Sequence, residues 1–530
     1  MNAQRLLAHY EKIADAPDAI ARLRRFILDL AVRGKLVPQD TNDEPASELL
    51  KRIAKEKLDQ SDLPQGWRRA KVGSILDFQY GKGLKASERL DEGPVPVFGS
   101  NGIVGFTDEP LTVRPSIIVG RKGSAGALTL CDGPSWTTDV AYFVESPLFL
   151  NLRFLLNALA ALDLDKLGKG VKPGLSRSDA YEQIIALPPL AEQHRIVAKV
   201  DELMGLCDRL AAGRGNREGL RDRLTASSLA RLNALDAETF LADARFVLDA
   251  LPALTTRPDQ INALRQTILN LAVRGKLVPQ DEKDEPASEL LKRIAKAKAE
   301  RKKKTGDARI KMEPDPTPDE LEMALPSGWA VQSFENLFLF IDYRGNTPPK
   351  TDEGIPLITA KNIRMGYLNR EPREYISKVT FKTWMKRGFP EIGDLFFTTE
   401  APLANICLND IQEPFALAQR AICFQPYAMI DTKFLMFAVM SDLMQSLIDK
   451  HATGMTAKGI KAANLKPLPI PIPPLAEQHR IVAKVDALMA LCDRLEASLN
   501  TTAATRRRLL DALLAEALAP VENRELQAAE

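Results

Sequence analysis

The chain has 530 residues, of which 45% are apolar and 27% are charged, and its formal net charge is +2. One hydrophobic core stops growing at roughly 250–300 residues, so the length excludes a single-core protein and predicts at least two domains. The balanced charge neither supports nor excludes nucleic acid, because a small total can hide a local basic surface.

The cysteines and the apolar runs indicate a cytoplasmic protein. The five cysteines are Cys131, Cys207, Cys407, Cys423 and Cys492. They form no C-x-x-C pair, so we expect buried free thiols rather than disulfides or a zinc site. The N-terminal sequence has no apolar signal core. No apolar run approaches the roughly 20 residues of a membrane helix, so no membrane contact is expected.

The first predicted element is a helical segment that occurs twice. LAVRGKLVPQD stands at Leu30–Asp40 and at Leu271–Asp281, and DEPASELLKRIAK follows at Asp43–Lys55 and at Asp284–Lys296. Gly34 predicts a helix stop. The sequence after it predicts a second helix with one apolar face and a basic solvent face.

A variable block follows each copy and opens with LP-x-GW, at Leu63–Trp67 and at Leu325–Trp329. Short apolar runs bounded by Gly, Asp or Pro, such as PSIIVGRKG and DLFFTTE, indicate strands. Helix-like stretches such as PLFLNLRFLLNALAAL lie between them. We therefore predict one α+β domain in each block.

Gly-rich turns in both blocks carry Lys, Arg, Asn, Ser and Thr. Backbone N–H groups and cations at such turns suit phosphate contacts, and Arg and Asn suit base edges. Many surface loops share this composition, so the pattern alone does not establish DNA binding. The candidate DNA contacts are Lys82, Lys85, Ser100, Asn101, Arg121, Lys122, Ser124, Lys172, Arg177, Tyr343, Arg344, Asn346, Thr347, Lys361, Asn362, Arg364, Thr399 and Lys458. The basic run Arg301–Lys304 is interpreted as a solvated linker rather than a DNA clamp.

The second repeated segment is PPLAEQHRIVAKVD, at Pro188–Asp201 and at Pro473–Asp486. Proline in the first turn and the following glutamate are typical of a helix start. Apolar residues then recur at a spacing of four, three, four and three, which is a coiled-coil seam. The two seams are Ile196, Val200, Leu203, Cys207, Leu210 and Ile481, Val485, Leu488, Cys492, Leu495. We predict that they pair as an antiparallel coiled coil.

The order of the repeats indicates two similar halves. The C-terminal tail plus the N-terminal segment matches the length of the central helical stretch, which predicts a circular, pseudo-two-fold arrangement; a tandem duplication without spatial symmetry is the alternative. The predicted fold class is α+β, with two mixed α/β domains alternating with two long helical repeat regions. The predicted domains are 1–62 (helical), 63–187 (first variable), 188–324 (central helical and linker), 325–471 (second variable) and 472–530 (C-terminal helix).

No catalytic motif is present. The sequence has no G-x-S-x-G, P-loop, H-E-x-x-H, dinucleotide-binding or methyltransferase signature. His194 and His479 occupy equal places at a helix start and are interpreted as surface or interface residues rather than catalytic groups. We predict no catalytic residue and no metal ligand.

The repeats resemble the specificity subunit of type I restriction–modification enzymes over nearly the whole chain. LPPLAEQHRIVAKVDELM, ILDLAVRGKLVPQDTNDEPASELLKRI and the LP-x-GW phrase carry this resemblance. VPVFGSNGIVGF with IIVGRKGSAG, and YRGNTPPK with IPLITAKNI and GDLFFTTEAPLAN, resemble two types of target recognition domain.

The resemblance implies a function without catalysis by this chain. Each recognition domain would read one half of an asymmetric bipartite site in double-stranded DNA, while the coiled coil fixes the spacer. The repeats would dock two modification subunits that bind S-adenosylmethionine and methylate adenine. Two restriction subunits would add cleavage that depends on ATP and Mg. The alternatives are a helical scaffold with no DNA role, or a stand-alone methyltransferase or nuclease.

Overall fold

The chain folds into two units. The first contains Met1–Glu218 and Thr502–Glu530, and the second contains Gly219–Thr501. The computed structural model describes residues 15–51, 58, 62–147, 150–168, 174–234, 239–321, 323–343, 347–454 and 458–518.

The helices lie both in the repeated segments and within the variable blocks. They are α1 Ala19–Val32, α2 Ala46–Leu50, α3 Val72–Ile75, α4 Leu152–Ala161, α5 Arg177–Tyr181, α6 Leu190–Asn233, α7 Phe240–Leu254, α8 Pro258–Val273, α9 Ala287–Thr305, α10 Phe334–Leu337, α11 Lys378–Trp384, α12 Thr432–Met440, α13 Asp442–Lys450, α14 Ala462–Leu465 and α15 Leu475–Leu518. The two longest, α6 and α15, have 44 residues each and begin at the same place in the second repeat.

The strands lie in the two variable blocks. Those of the first block are β1 Arg68–Lys71, β2 Gln79–Tyr80, β3 Val95–Gly99, β4 Gly102–Thr107, β5 Ser116–Gly120, β6 Leu128–Cys131, β7 Trp136–Thr137, β8 Ala141–Glu145 and β9 Ile184–Leu187. Those of the second are β10 Ala330–Ser333, β11 Phe338–Asp342, β12 Ile355–Ile358, β13 Ile363–Arg364, β14 Tyr367–Leu368, β15 Tyr375–Ile376, β16 Leu395–Thr398, β17 Ile406–Leu408, β18 Ala416–Leu417, β19 Ala421–Pro426 and β20 Pro469–Ile472.

The two blocks share one sheet topology although their sequences differ. Each contains a four-stranded antiparallel sheet, ordered β2-β8-β5-β6 in the first block and β11-β19-β16-β17 in the second. Each also contains a three-stranded mixed sheet, ordered β4-β3-β7 and β15-β12-β18. The second block adds the hairpin β13–β14. This agrees with the prediction of one α+β domain per block.

The opening and closing strands of each block pair with one another. β1 runs antiparallel to β9, with Arg68 opposite Leu187. In the second unit β10 pairs with β20 in the same way, with Ala330 opposite Ile472. Both ends of a block therefore lie side by side where the following long helix starts.

The first repeat folds as its sequence predicts. Helix α1 ends at Val32, and Gly34 adopts a positive φ of 64° that favours glycine. A Cβ at Gly34 would lie 2.5 Å from the Cγ of Pro64, so the close approach also requires glycine. In the second copy, α9 confirms the predicted helix after the glycine stop.

The basic run before the second block is not a linker. Arg301–Lys304 forms the last turns of α9, and Arg301 Nη2 donates to Gln425 Oε1 at 2.7 Å. Beyond Gly306 the chain packs onto the block, where Ile310 is buried among its core residues. The run is therefore helical rather than a linker, whereas its lysines Lys302–Lys304 are exposed to solvent as predicted.

Most of each seam packs within its own unit. Ile196, Val200 and Cys207 belong to a core with Ile27 and Ala31 of α1 and with residues of the first block. The second copy repeats this: Ile481, Val485 and Cys492 pack in a core with residues of α8 and of the second block. Leu203, Leu488 and Leu495 are partly buried there, and Leu210 is exposed.

Candidate nucleic-acid interface

Two guanidinium groups lie close to an exposed aromatic ring in the first unit. Tyr80, at the end of β2, is 50% exposed. The guanidinium carbons of Arg121 and Arg177 lie 5.0 and 5.1 Å from its ring centroid. Arg121 follows β5 and Arg177 begins α5, so three elements bring this cluster together. Cation–π contacts of this kind hold the guanidinium planes in place.

Two glycines allow the loops around this cluster to approach closely. A Cβ at Gly81 would lie 2.1 Å from the carbonyl oxygen of Thr138, and one at Gly120 would lie 2.0 Å from that of Ser124. Lys82 Nζ lies 5.9 Å from the ring centroid of Trp136, whose Nε1 donates to the Lys82 carbonyl at 2.9 Å.

We define the first-unit cationic patch as Lys82, Arg121, Lys122 and Arg177 with Tyr80 and Trp136. Arg121 Nη1 donates to the Asp139 carbonyl oxygen at 2.9 Å, and Arg177 Nη1 to that of Phe78 at 3.5 Å. Among the described residues, neither arginine has a carboxylate within ion-pair distance. Their charge is therefore available to an anion such as phosphate.

The other first-block candidates lie at the surface near this patch or outside the described residues. Ser100 and Ser124 approach Gly120 through their carbonyl oxygens, which places both beside Arg121. Lys85 and Asn101 are exposed. Lys172 lies outside the described residues.

The second block offers exposed cations with acidic neighbours. Lys361 Nζ lies 3.7 Å from Glu374, and Lys458 Nζ lies 2.6 Å from Asp449. Arg364 is half-buried in β13, and Thr347 is exposed. The candidates Arg344 and Asn346 belong to a stretch that the structure leaves undescribed.

Three predicted contacts of the second block are turned inward. Tyr343 is 5% exposed, stacks on Trp384 at 5.7 Å and donates its hydroxyl to Gly388 O. Asn362 is 2% exposed and Thr399 is 7% exposed. The side-chain amide of Asn362 accepts from the backbone N–H of Thr359 and donates to the carbonyl oxygen of Pro372, so it links two parts of the loop. The prediction that these side chains contact DNA is corrected: they shape loops from inside.

Sequence reasoning missed the exposed Tyr80 and Tyr367 and the half-buried Trp136. Tyr80 and Trp136 pack against the predicted cations in the first unit. In the second, Tyr367 is 62% exposed and pairs with Arg364 across the hairpin β13–β14. Aromatic residues interleaved with the basic turns were the available signal, because bases stack on such rings.

His194 and His479 contact neighbouring polar side chains, and the cysteines are buried. His194 Nδ1 lies 3.0 Å from the Asn151 amide nitrogen, and His479 Nδ1 lies 2.9 Å from Asp431 Oδ2. Both histidines are exposed, which agrees with the surface alternative of the interpretation as surface or interface residues. All five cysteines are free and buried, as predicted.

Two features are absent from the described residues. Those residues contain no cluster of His, Cys, Asp and Glu that could hold a metal ion. No helix among them is long and apolar enough to cross a membrane.

The fold and the patch define a protein that presents two different mixed α/β domains on a duplicated helical frame. The family model "Type I restriction modification DNA specificity domain" matches residues 64–217 and 326–503. The chain belongs to this family and is the DNA specificity subunit, a non-catalytic component, of a type I restriction–modification system.

The comparisons with individual proteins agree along nearly the full length. The specificity subunit of the type I restriction enzyme EcoAI from Escherichia coli is 28% identical over 93% of this chain and 93% of its own. That of EcoEI, also from Escherichia coli, is 28% identical over 94% of each chain. A solved structure described as "Structural basis underlying complex assembly and conformational transition of the type I R-M system" has a TM-score of 0.51 at 18% identity. It covers 86% of this chain and 98% of that chain, which supports the fold alone.

Proposed function

We propose that each variable block reads one half of an asymmetric bipartite DNA sequence. The observation that carries this proposal is the first-unit cationic patch. In this patch two arginines lie beside an exposed tyrosine ring, and neither arginine has a carboxylate partner among the described residues. Such a surface suits both phosphate contacts and base contacts. The two blocks differ in sequence while sharing a topology, so their half-sites differ and the whole site is asymmetric.

The proposed contacts are those that the structure leaves accessible. In the first block they are Lys82, Lys85, Ser100, Asn101, Arg121, Lys122, Ser124 and Arg177, with Tyr80 and Trp136 added. In the second they are Thr347, Lys361, Arg364 and Lys458, with Tyr367 added. Lys172, Arg344 and Asn346 stay predictions, because they lie outside the described residues.

The long helices are proposed to set the spacer. Helices α6 and α15, of 44 residues each, are about 66 Å long at 1.5 Å per residue. One DNA turn is about 34–36 Å, so helices of this length are sufficient to separate two reading domains. An antiparallel pairing of α6 with α15 and a circular, pseudo-two-fold arrangement are part of this proposal, as are the five predicted domains.

The catalytic parts are proposed to reside on other subunits. Two modification subunits would dock on the helical repeats and bring S-adenosylmethionine for adenine methylation. Two restriction subunits would bring ATP and Mg for translocation and cleavage. The cytoplasmic location stays a prediction from the sequence.

A methylation map of the genome tests the function. Cells carrying this chain and its modification partner are compared with cells that lack only this chain. We expect a bipartite, asymmetric, adenine-methylated motif that disappears without the chain. If the partner is assembled and active and no motif depends on the chain, the proposal fails.

A further inference from the structure

A buried polar network joins each variable block to its frame, and it occurs twice with nearly the same distances. In the first unit, the Glu192 carboxylate accepts from Trp67 Nε1 at 3.0 Å and from Gln39 Nε2 at 3.1 Å. We define these three residues as the first junction network. The second junction network consists of Glu477, Trp329 and Gln280, with distances of 3.0 and 2.9 Å.

Each network links three separate parts of its unit. Gln39 belongs to the first repeat, Trp67 stands one residue before β1, and Glu192 lies in the first turn of α6. Because β1 pairs with β9 and β9 leads directly into α6, Trp67 and Glu192 fasten both ends of the block to the same point. The carboxylates of Glu192 and Glu477 are only 1% exposed, and burial raises the pKa of both.

Two further contacts restrain the same junction. Arg195 forms a two-pronged ion pair with Asp43, at 3.3 and 2.6 Å. Gln193 Oε1 accepts from the backbone N–H of Asn151, the residue that caps α4 of the block. Both contacts recur in the second unit, between Arg480 and Asp284 and between Gln478 and Asp431. The junction therefore allows little rotation of a block about the start of its helix.

We propose that the two junction networks are positioning devices that determine how strictly the protein measures the spacer between its half-sites. This inference rests on the proposed bipartite reading. One base pair more or less moves a half-site by about 3.4 Å and rotates it by about 35° about the DNA axis. A block held rigidly on its helix cannot follow that rotation, whereas a block on a loosened junction can.

The test compares variants of the full chain, each assembled with its modification partner. Glu192→Gln replaces the buried carboxylate with an amide of similar size, which faces the Gln39 amide donor. Gln39→Ala is a milder change at the exposed side of the network. Glu202→Gln is the matched control, because Glu202 is an exposed residue of the same helix that pairs with Lys199. The substrates are duplexes with both half-sites at the native spacing or one base pair shorter or longer.

We expect the ratio of methylation rates at native and altered spacing to fall by about tenfold in Glu192→Gln, since one charge-assisted hydrogen bond corresponds to about that factor. Gln39→Ala should lower the ratio in the same direction, and Glu202→Gln should leave it unchanged. The base preferences within each half-site should not change in any variant.

A structural role alone would give a different result. If the variants lower methylation equally at every spacing, or keep the native ratio while folded, the networks only stabilise the chain and the inference is overturned. If the unmodified protein itself shows no bipartite site, the proposed function fails on that control alone, so the two failures are distinguishable.

Discussion

At the scale of single residues, Asp394 is the clearest case of a group whose surroundings change its chemistry. It is buried in the second block, one residue before β16, and its Oδ2 accepts from the backbone N–H of Glu391 at 2.7 Å and from Gln425 at 3.3 Å. Burial is the main cause that raises the pKa of its carboxyl to about 6. The ionised form is thus disfavoured in the folded chain.

This raised pKa predicts a dependence of stability on pH. The contribution of Asp394 is fully present below the ordinary aspartate pKa near 3.8 and is lost as the pH rises through about 6. Asp394→Asn should therefore remove up to about 3 kcal/mol of the difference in unfolding free energy between pH 4 and pH 7.5. Urea-induced unfolding of the second unit, followed at several pH values, measures this pH dependence of the free energy of unfolding.

The matched control is Asp410→Asn, because Asp410 is a surface carboxylate that pairs with Arg370. It should preserve the pH profile of the unmodified chain. An unchanged profile in Asp394→Asn would show that other groups determine the pH dependence.

The positions of the polar loops could be predicted from residue type, but which of their side chains face solvent could not. Tyr343, Asn362 and Thr399 have suitable chemistry for DNA, yet each lies beneath its loop. Whether a polar side chain faces solvent depends on neighbours distant in sequence, such as Trp384 stacking on Tyr343. The buried cysteines could be predicted, because unpaired thiols usually pack as small apolar groups.

At the scale of elements, helix α6 runs without a break through Gly213, Gly215 and Gly219. A Cβ at any of these positions would meet no heavy atom within 4 Å. None of the three has the positive φ that favours glycine. The glycines therefore lower the stability of the helix without serving a contact in the described structure.

Replacing them with alanine should stabilise the chain. Gly213→Ala and Gly215→Ala should each raise the unfolding free energy by about 0.5–1 kcal/mol, because glycine loses more backbone entropy than alanine on forming a helix. Thermal unfolding of each variant provides the measurement. Gly34→Ala serves as the opposite control and should destabilise, since its φ and the ring of Pro64 both exclude a Cβ. A loss of stability in Gly213→Ala would contradict the free space seen here.

The sequence predicted the helices and their buried faces better than it predicted the elements that pack against those faces. The seam spacing identified which side of α6 is buried, and the structure confirms burial of Ile196, Val200 and Cys207. The same spacing fits any apolar neighbour, however. In the first unit that neighbour includes α1 and the variable block, which no periodicity within α6 could specify.

At the scale of the whole molecule, the duplication predicted two similar halves, and each unit indeed repeats one frame and one sheet topology. Sequence comparison of the blocks could not reveal that shared topology, because short strands tolerate many apolar sequences. The division into two units has a functional consequence: a change within one block should affect one half-site.

Variants of the first-unit cationic patch test this independence. Arg121→Gln and Arg177→Gln should relax base preference in one half-site and leave the other unchanged in a methylation map. Each should also lower the salt dependence of DNA binding by about one unit of slope if the arginine contacts phosphate. Arg114→Gln, at an exposed arginine paired with Glu145, is the matched control and should alter neither. Equal relaxation of both half-sites would contradict separate reading.

The side-by-side pairing of β1 with β9, and of β10 with β20, also bears on how such a chain diversifies. Because both ends of a block leave through one pair of strands in one register, the interior can lengthen, shorten or change its loops while the frame keeps its geometry. The second block already illustrates this with its additional hairpin. Selection can therefore act on what is read independently of how the reading domains are held. New specificities can arise by altering or replacing a block, without a compensating change in the helices.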